Sequence, residues 1–159
     1  MEVYLRKSRF IKGGKLIVEK EINDKGGKQT KLGLRLDLID PMFLYKLFPC
    51  DTFIDNITNF MVIGEKEYLI HAIDVLYPDR IKALWDIGKT LYEGAKEYPT
   101  NNWRLISQES HLNHALVHYF KYQLGLDDEP HKQHCITRLM MAYSTEPTTK
   151  DIYGGYENG

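Results

Sequence analysis

Cysteine is scarce in this 159-residue chain: Cys50 and Cys135 stand far apart and in no CxxC pair, so neither a disulfide framework nor a zinc knuckle is indicated. Both are expected as reduced, buried thiols. No apolar run approaches the roughly 18 residues that cross a bilayer, and the opening Met-Glu-Val-Tyr-Leu-Arg lacks the basic-then-apolar order of a secretory signal. A cytoplasmic protein without a membrane partner is the expectation. Charge of one sign is not in excess either. Lys and Arg number 21 against 22 Asp and Glu, a net charge of −1, which leaves no electrostatic footprint for nucleic acid. The chain also has no HExxH, no His-Asp doublet and no GxSxG, which argues against zincin peptidases, histidine-aspartate metal phosphohydrolases and nucleophile-elbow hydrolases. Ala83-Leu-Trp-Asp-Ile-Gly-Lys-Thr90 meets only the loosest form of a phosphate-binding loop. It begins with Ala and lies inside an amphipathic helical pattern, so it is discounted.

What is present suffices for one core: 43% of the residues are apolar. The pattern predicts a mainly α-helical bundle of one domain over residues 1–143, with a small β-hairpin over residues 2–22 turning at Gly13-Gly14. Residues 23–30 are polar and glycine-containing, and are expected as a mobile loop. Pro41 can open a helix. Apolar segments follow at residues 53–61 and 68–76, the second compatible with helix or strand. The clearest helix spans residues 79–98, where Ile81, Leu84, Trp85, Gly88, Leu91, Tyr92 and Ala95 recur at three- and four-residue spacing and are expected as its core face. Ser107 is a suitable N-cap for a helix stopped by Gly125, and a last helix is expected over residues 130–143. Residues 144–159 are polar and without period, and are expected as a flexible tail.

Five of the six histidines lie between residues 93 and 138. At 100° per residue His111, His114 and His118 form one line of their helix, and His131, His134 and Arg138 form a line on the next. Two such lines can face each other across a cleft, or both can face water. Imidazoles shuttle protons or ligate metals near neutral pH, and a guanidinium holds anionic oxygens in its planar fork, a combination that suits phosphate chemistry. Glu93 and Glu97 stand one turn apart on the long helix, and Asp127 and Asp128 precede the last one. Carboxylates so spaced can share Mg²⁺ or Mn²⁺ with substrate phosphates. Trp103, beside Asn102 and Arg104, is placed to stack on a base while an amide reads its edge, or to anchor its loop.

The ordered series Lys31-Leu-Gly-Leu-Arg-Leu-Asp-Leu-Ile-Asp-Pro41, Gly94-Ala-Lys-Glu-Tyr98, Asn102-Trp103, Ala115-Leu-Val-His118, residues 125–128 and residues 131–134 resembles the phage-associated dATP/dGTP diphosphohydrolase family. That family in turn resembles the all-α, MazG-like nucleoside triphosphate pyrophosphohydrolases. Residues 51–80 look like an insertion between the first two elements. The resemblance implies Mg²⁺-dependent hydrolysis of a purine deoxynucleoside triphosphate to the monophosphate, in the service of a phage nucleotide pool. It carries over Lys96, Tyr98, Asn102, Trp103, His118, Asp128 and His134 as matching positions. Helix geometry adds Glu93, Glu97, His114, Asp127 and Arg138.

On the combined reading, Glu93, Glu97, Asp127 and Asp128 hold Mg²⁺ (or Mn²⁺), and Lys96 and Arg138 neutralise developing charge. His118 serves as ligand or general base. Tyr98, Asn102, Trp103, Arg104, His114 and His134 bind the nucleotide, and the chain is expected as a homo-oligomer. The competing readings are a nucleotide binder without catalysis and a structural or partner-binding phage protein.

Overall fold

The structure, a computed structural model, describes residues 9–12 and 15–147, with side chains from residue 19 onward. Two antiparallel hairpins precede a bundle of α-helices. In the first, β1 (Arg9–Lys12) pairs with β2 (Lys15–Val18), Lys12 opposite Lys15, on either side of Gly13-Gly14 as expected. Residues 3–5, expected as part of that hairpin, lie outside the described residues.

The second hairpin corrects the expected loop. β3 (Lys20–Ile22) pairs with β4 (Lys28–Thr30), Ile22 opposite Lys28. Asn23 makes the turn by accepting the Lys25 and Gly27 N–H groups on Oδ1, at 3.0 and 2.8 Å. Its Nδ2 donates to the Leu105 carbonyl at 2.6 Å. The Asn102 side chain then pairs with both main-chain groups of Lys28: Oδ1 accepts its N–H at 2.9 Å and Nδ2 donates to its carbonyl at 2.7 Å. A polar, glycine-rich stretch is thus ordered by bonds to a loop some eighty residues away, a cause that local composition does not carry.

A single 3-10 turn over Leu36–Leu38 leads into α1 (Pro41–Leu47), α2 (Thr52–Ile63), α3 (Glu67–Leu76) and α4 (Arg80–Gly94). A second turn, Asn102–Leu105, is followed by α5 (Gln108–Gln123) and α6 (His131–Tyr143). Side-chain oxygens cap the starts that the sequence marks. Asp40, Asp51, Asp79 and Ser107 accept N–H groups of the first turns of α1, α2, α4 and α5, and Pro41 opens α1. Gly125, at φ +74°, ends α5 in the left-handed region that favours glycine. Among the described residues no helix is long and apolar enough to cross a membrane.

α5 is the central element. His111, Leu112, Asn113, His114, Ala115, Leu116, Val117 and Tyr119 are all buried, so it is enclosed on most sides, and α6 lies along it. Phe53, Ile54 and Ile57 of α2, Leu69 and Ala72 of α3, and Ile136 and Leu139 of α6 complete the core. The Tyr119 ring stacks on Phe53 with centroids 3.9 Å apart while its hydroxyl donates to Asp51, the cap of α2, at 2.6 Å.

Three expectations fail here. The period of α4 is helical, but its phase is not the one expected: Ile81 is 79% exposed, Leu84 72%, Trp85 71% and Tyr92 66%, while Ala83, Asp86 and Ile87 face inward. The inward carboxylate of Asp86 accepts from the Tyr77 hydroxyl at 2.9 Å and pairs with the Lys82 and Lys89 ammonium groups at 3.4 and 3.3 Å, so a polar residue occupies the side that apolar counting assigns to solvent. Burial pulls the Asp86 carboxyl up, but these three partners hold it below the ordinary range. Cys50 is exposed at φ +67°, and only Cys135 is a buried thiol. The start of the expected tail is tied down, with Thr145 buried and the Gln108 amide donating to the Ala142 and Thr145 carbonyls at 2.9 Å each. Residues 148–159 lie outside the described residues.

Gly27 tests whether the second hairpin is docked. A Cβ there would meet the Leu105 carbonyl oxygen at 2.9 Å and Ile106 Cγ1 at 3.0 Å. Gly27→Ala is therefore expected to destabilise the fold by about 1–3 kcal/mol in urea denaturation. Unchanged stability would mean that the hairpin does not pack on the 102–106 loop.

Candidate active site

The two polar lines of α5 and α6 face each other. Arg138 Nη1 donates to His111 Nδ1 at 3.0 Å and to Gln29 Oε1 of β4 at 3.0 Å. A guanidinium only donates, so His111 Nδ1 must be the acceptor. His111 Nε2 lies 2.8 Å from the Trp103 carbonyl, which only accepts, so Nε2 carries the hydrogen. The neighbours thus select one neutral tautomer. Burial first, then the Arg138 charge, push the His111 pKa down to about 3 against the pull of that carbonyl. Gln29 itself donates to Ser110 Oγ at 2.6 Å and Glu21 Oε1 at 3.0 Å, which fixes its oxygen toward Arg138. Burial lowers the Arg138 pKa to about 10, and no carboxylate of the described residues lies within ion-pairing distance of it.

A second chain of bonds runs from the loop before α6. His131 Nε2 donates to Asp128 Oδ1 at 2.7 Å, which leaves His131 Nδ1 to accept from His118 Nδ1 at 2.9 Å. That order leaves the lone pair of His118 on Nε2. The His118 ring also meets His134 edge-on, with centroids 5.1 Å apart. Burial, then the neighbouring His134, Arg138 and His131, hold the His118 pKa well below the ordinary imidazole value, and burial lowers those of His114 and His134 as well. The shifts favour the uncharged form of His114, His118 and His134, the form that a base or a metal ligand requires.

A cavity of about 490 Å³ opens beside these rings, large enough for a nucleotide-sized ligand. Of the residues expected in a site, His114, His118, His134, Arg138, Tyr98, Asn102, Trp103, Glu93 and Glu97 line it. The others do not: Lys96, Arg104, Asp127 and Asp128 are outside its lining. Lys96 pairs with Glu93 at 3.1 Å on the surface, and the Arg104 guanidinium lies 4.2 Å over the Trp103 ring. The Asn102 amide, expected to read a base, is committed on both ends to Lys28. Glu97 is not on a shared helix face with Glu93, because α4 ends at Gly94 and the chain passes through tighter turns before Pro99, whose ring disfavours helix in the residue before it. Glu97 bonds Lys20 at 2.9 Å instead, and Lys20 also bonds the Tyr98 hydroxyl.

Several contributors went unassigned in the sequence. Lys20, Lys28, Lys121, Glu129 and Thr137 also line the cavity, and His131 and Gln29 orient what lines it. His131 carried a signal through its place on the α6 line. Gln29 carried none, because its partner Arg138 is more than a hundred residues away.

Mg²⁺ is a hard cation that asks for oxygen ligands in near-octahedral array. Glu93, Glu97, Asp127 and Asp128 do not converge to supply one. Among the described residues, the groups whose ligand atoms come within 4.8 Å of one another are His118, Glu129 and His134, and Asp128, Glu129 and His131. The residues present fit a cation that accepts imidazole, not the expected four-carboxylate cradle.

The buried imidazoles set a pH dependence. The His111 pKa is near 6.5 in the unfolded chain and about 3 in the fold, so between these values the unfolded chain holds a proton that the folded one refuses. Stability is complete above pH 6.5 and is lost as pH falls. From His111 alone, about 2 kcal/mol should disappear between pH 6.5 and 5, and His114, His118 and His134 act in the same direction. Urea denaturation at pH 7.5, 6 and 5 measures it, and an unfolding free energy that stays level over this range would refute the neutral-histidine network.

Among curated proteins and among solved structures nothing matches this chain. A family model does, that of the N-terminal domain of dATP/dGTP diphosphohydrolases, over residues 56–153. The match includes residues 56–80, so most of the segment expected as an insertion belongs to the family pattern. The element at residues 31–41 lies outside it. The matched stretch is well over half of the chain and holds α3 to α6 with Arg138, His111 and the His118 relay, though not Gln29 and Glu21, and the chain therefore belongs to the dATP/dGTP diphosphohydrolase family.

Proposed function

We propose that this chain hydrolyses the purine deoxynucleoside triphosphates dATP and dGTP to the monophosphate, in a reaction that depends on a divalent metal, and so shapes the nucleotide pool of a phage. The family name supports the substrate class. The observation that carries the reading is Arg138: a largely desolvated guanidinium on the wall of a nucleotide-sized cavity, hydrogen-bonded to neutral groups, with no carboxylate of the described residues within ion-pairing distance. Such a charge is costly unless an anion completes it, and a phosphate does so with paired, charge-assisted hydrogen bonds. Lys28 and Lys121 bring further positive charge to the same space, where Lys20 is paired with Glu97, and Tyr98 and Trp103 offer aromatic surface for a purine. His118, oriented by Asp128 through His131, presents an unprotonated ring nitrogen to the attacking water, as a base or by holding an ion. Kinship with the MazG-like enzymes, which the sequence resemblance implies, is part of the proposal, and a mainly helical fold is compatible with it.

Incubation with dATP or dGTP and Mg²⁺, Mn²⁺ or another divalent ion, following monophosphate, pyrophosphate and orthophosphate together, tests the reading. Turnover is expected, and Arg138→Ala should lower kcat/KM by about 100-fold or more while Arg138→Lys retains part of it. Circular dichroism of each variant guards against misfolding. No turnover of any nucleotide with any metal would remove the enzymatic claim, and nucleotide binding without product would establish a binding protein that kept the pocket.

The proposal includes self-assembly. Ile81, Leu84, Trp85 and Tyr92 form an exposed apolar face on α4, and a two-fold copy laying the same face against it would cover both. Light scattering should give at least twice the chain mass, and Trp85→Glu should return it to one. A wild-type monomer at micromolar concentration would dismiss the assembly.

A further inference from the structure

Two imidazoles and one carboxylate come together in the lining of the cavity. One ligand atom from each of His118, Glu129 and His134 lies within 4.8 Å of the others, and all three residues line the cavity. His134 Nδ1 is 4.0 Å from Glu129 Oε1. Spacings of this order close to a common centre with small side-chain rotations, because metal–ligand bonds of about 2.0–2.2 Å put neighbouring ligand atoms roughly 3–3.5 Å apart.

A second feature points the same way. The His118 ring is held through its other nitrogen by His131, which Asp128 holds in turn, at 2.9 and 2.7 Å. Metal-ligating histidines are characteristically fixed by such an outer hydrogen bond, which selects the tautomer and aims the free lone pair. Here it aims Nε2 of His118. Three protein ligands leave coordination positions open for water or a phosphate oxygen, and the cavity that they line is lined by Arg138 as well.

We infer that His118, Glu129 and His134 form a binding site for one divalent first-row transition ion, of which Zn²⁺ is the representative, and that Mg²⁺ is a poor ligand partner there. The chemistry of the donor set decides the class: imidazole nitrogens suit Zn²⁺ and its neighbours, whereas Mg²⁺ prefers an all-oxygen shell. The inference rests on the proposed hydrolase only in naming the ion's use, since ion binding is measurable without turnover.

The full chain, stripped with a chelator and dialysed, is titrated with Zn²⁺ by calorimetry and with Co²⁺ by visible absorption. One ion per chain is expected, with Co²⁺ bands that Zn²⁺ abolishes and an affinity for Zn²⁺ roughly 100-fold or more above that for Mg²⁺. His134→Ala and Glu129→Gln should each remove the Co²⁺ bands, and Asp128→Asn, acting through His131, should weaken Zn²⁺ binding by about 10-fold or more. His71→Ala, on the exposed side of α3, and Cys50→Ser, which removes an exposed thiol, should leave the titration as it was. Co²⁺ bands that survive in the folded His134→Ala and Glu129→Gln variants would overturn the site, as would Mg²⁺ competing on equal terms with Zn²⁺. Nucleotide turnover followed in the same samples separates the two claims. Zn²⁺ bound as described without hydrolysis of any nucleotide overturns the enzyme and leaves the site. Hydrolysis with Mg²⁺ by a chain that binds no Zn²⁺ or Co²⁺ in the titrations overturns the site and leaves the enzyme.

Discussion

The guanidinium of Arg138 bonds neutral groups, with no carboxylate of the described residues within ion-pairing distance, and much of the architecture is arranged around that charge. One continuous set of bonds runs from the Trp103 carbonyl through His111 to Arg138, then through Gln29 to Ser110 and Glu21. It joins the second hairpin, the loop before α5, α5 and α6. Each member is satisfied only while its neighbours hold one protonation state and one orientation, so the network specifies the arrangement of these elements as well as supporting it. A protonated His111 would set two donors against each other at its Nδ1.

This constraint explains the unusual character of α5. A helix with one apolar stripe can lie at the surface. α5 instead gives Leu112, Ala115, Leu116 and Tyr119 to the hydrophobic core and His111, His114 and His118 to a polar interior shared with α6. It is buried on most sides although it is not apolar on most sides. The bundle is in effect built around a polar seam, and the seam opens into the cavity that the family's triphosphate substrates would need. Burial holds the imidazoles there toward their neutral form, so Arg138 is the cation of the seam that a bound anion would meet.

The structure also separates residues that sequence spacing grouped together. Glu93 and Glu97 look like a pair, yet the helix ends between them and each finds its own lysine. Asn102 stands beside Trp103 in sequence, but its amide serves β4 while the indole borders the cavity. Asp128 works one step away from the cavity, through His131, and Glu129 next to it lines the wall instead. In each case the deciding partner lies on another element, where spacing along one helix has no say.

What the sequence determined by itself was local: the helical class, the starts at Pro41 and near Asp79, the cap at Ser107, the stop at Gly125, and the two polar lines on α5 and α6. These follow from periodicity and from hydrogen bonds reaching three or four residues, which the order of side chains encodes directly. The tertiary structure alone decided that the lines face each other and that α4 turns Asp86 inward and Trp85 out. It also decided that residues 28–30 form a strand delivering Gln29 to Arg138. Those outcomes depend on which distant group satisfies a buried donor or charge, and burial energetics is a property of the assembled neighbourhood, not of any stretch of chain read alone.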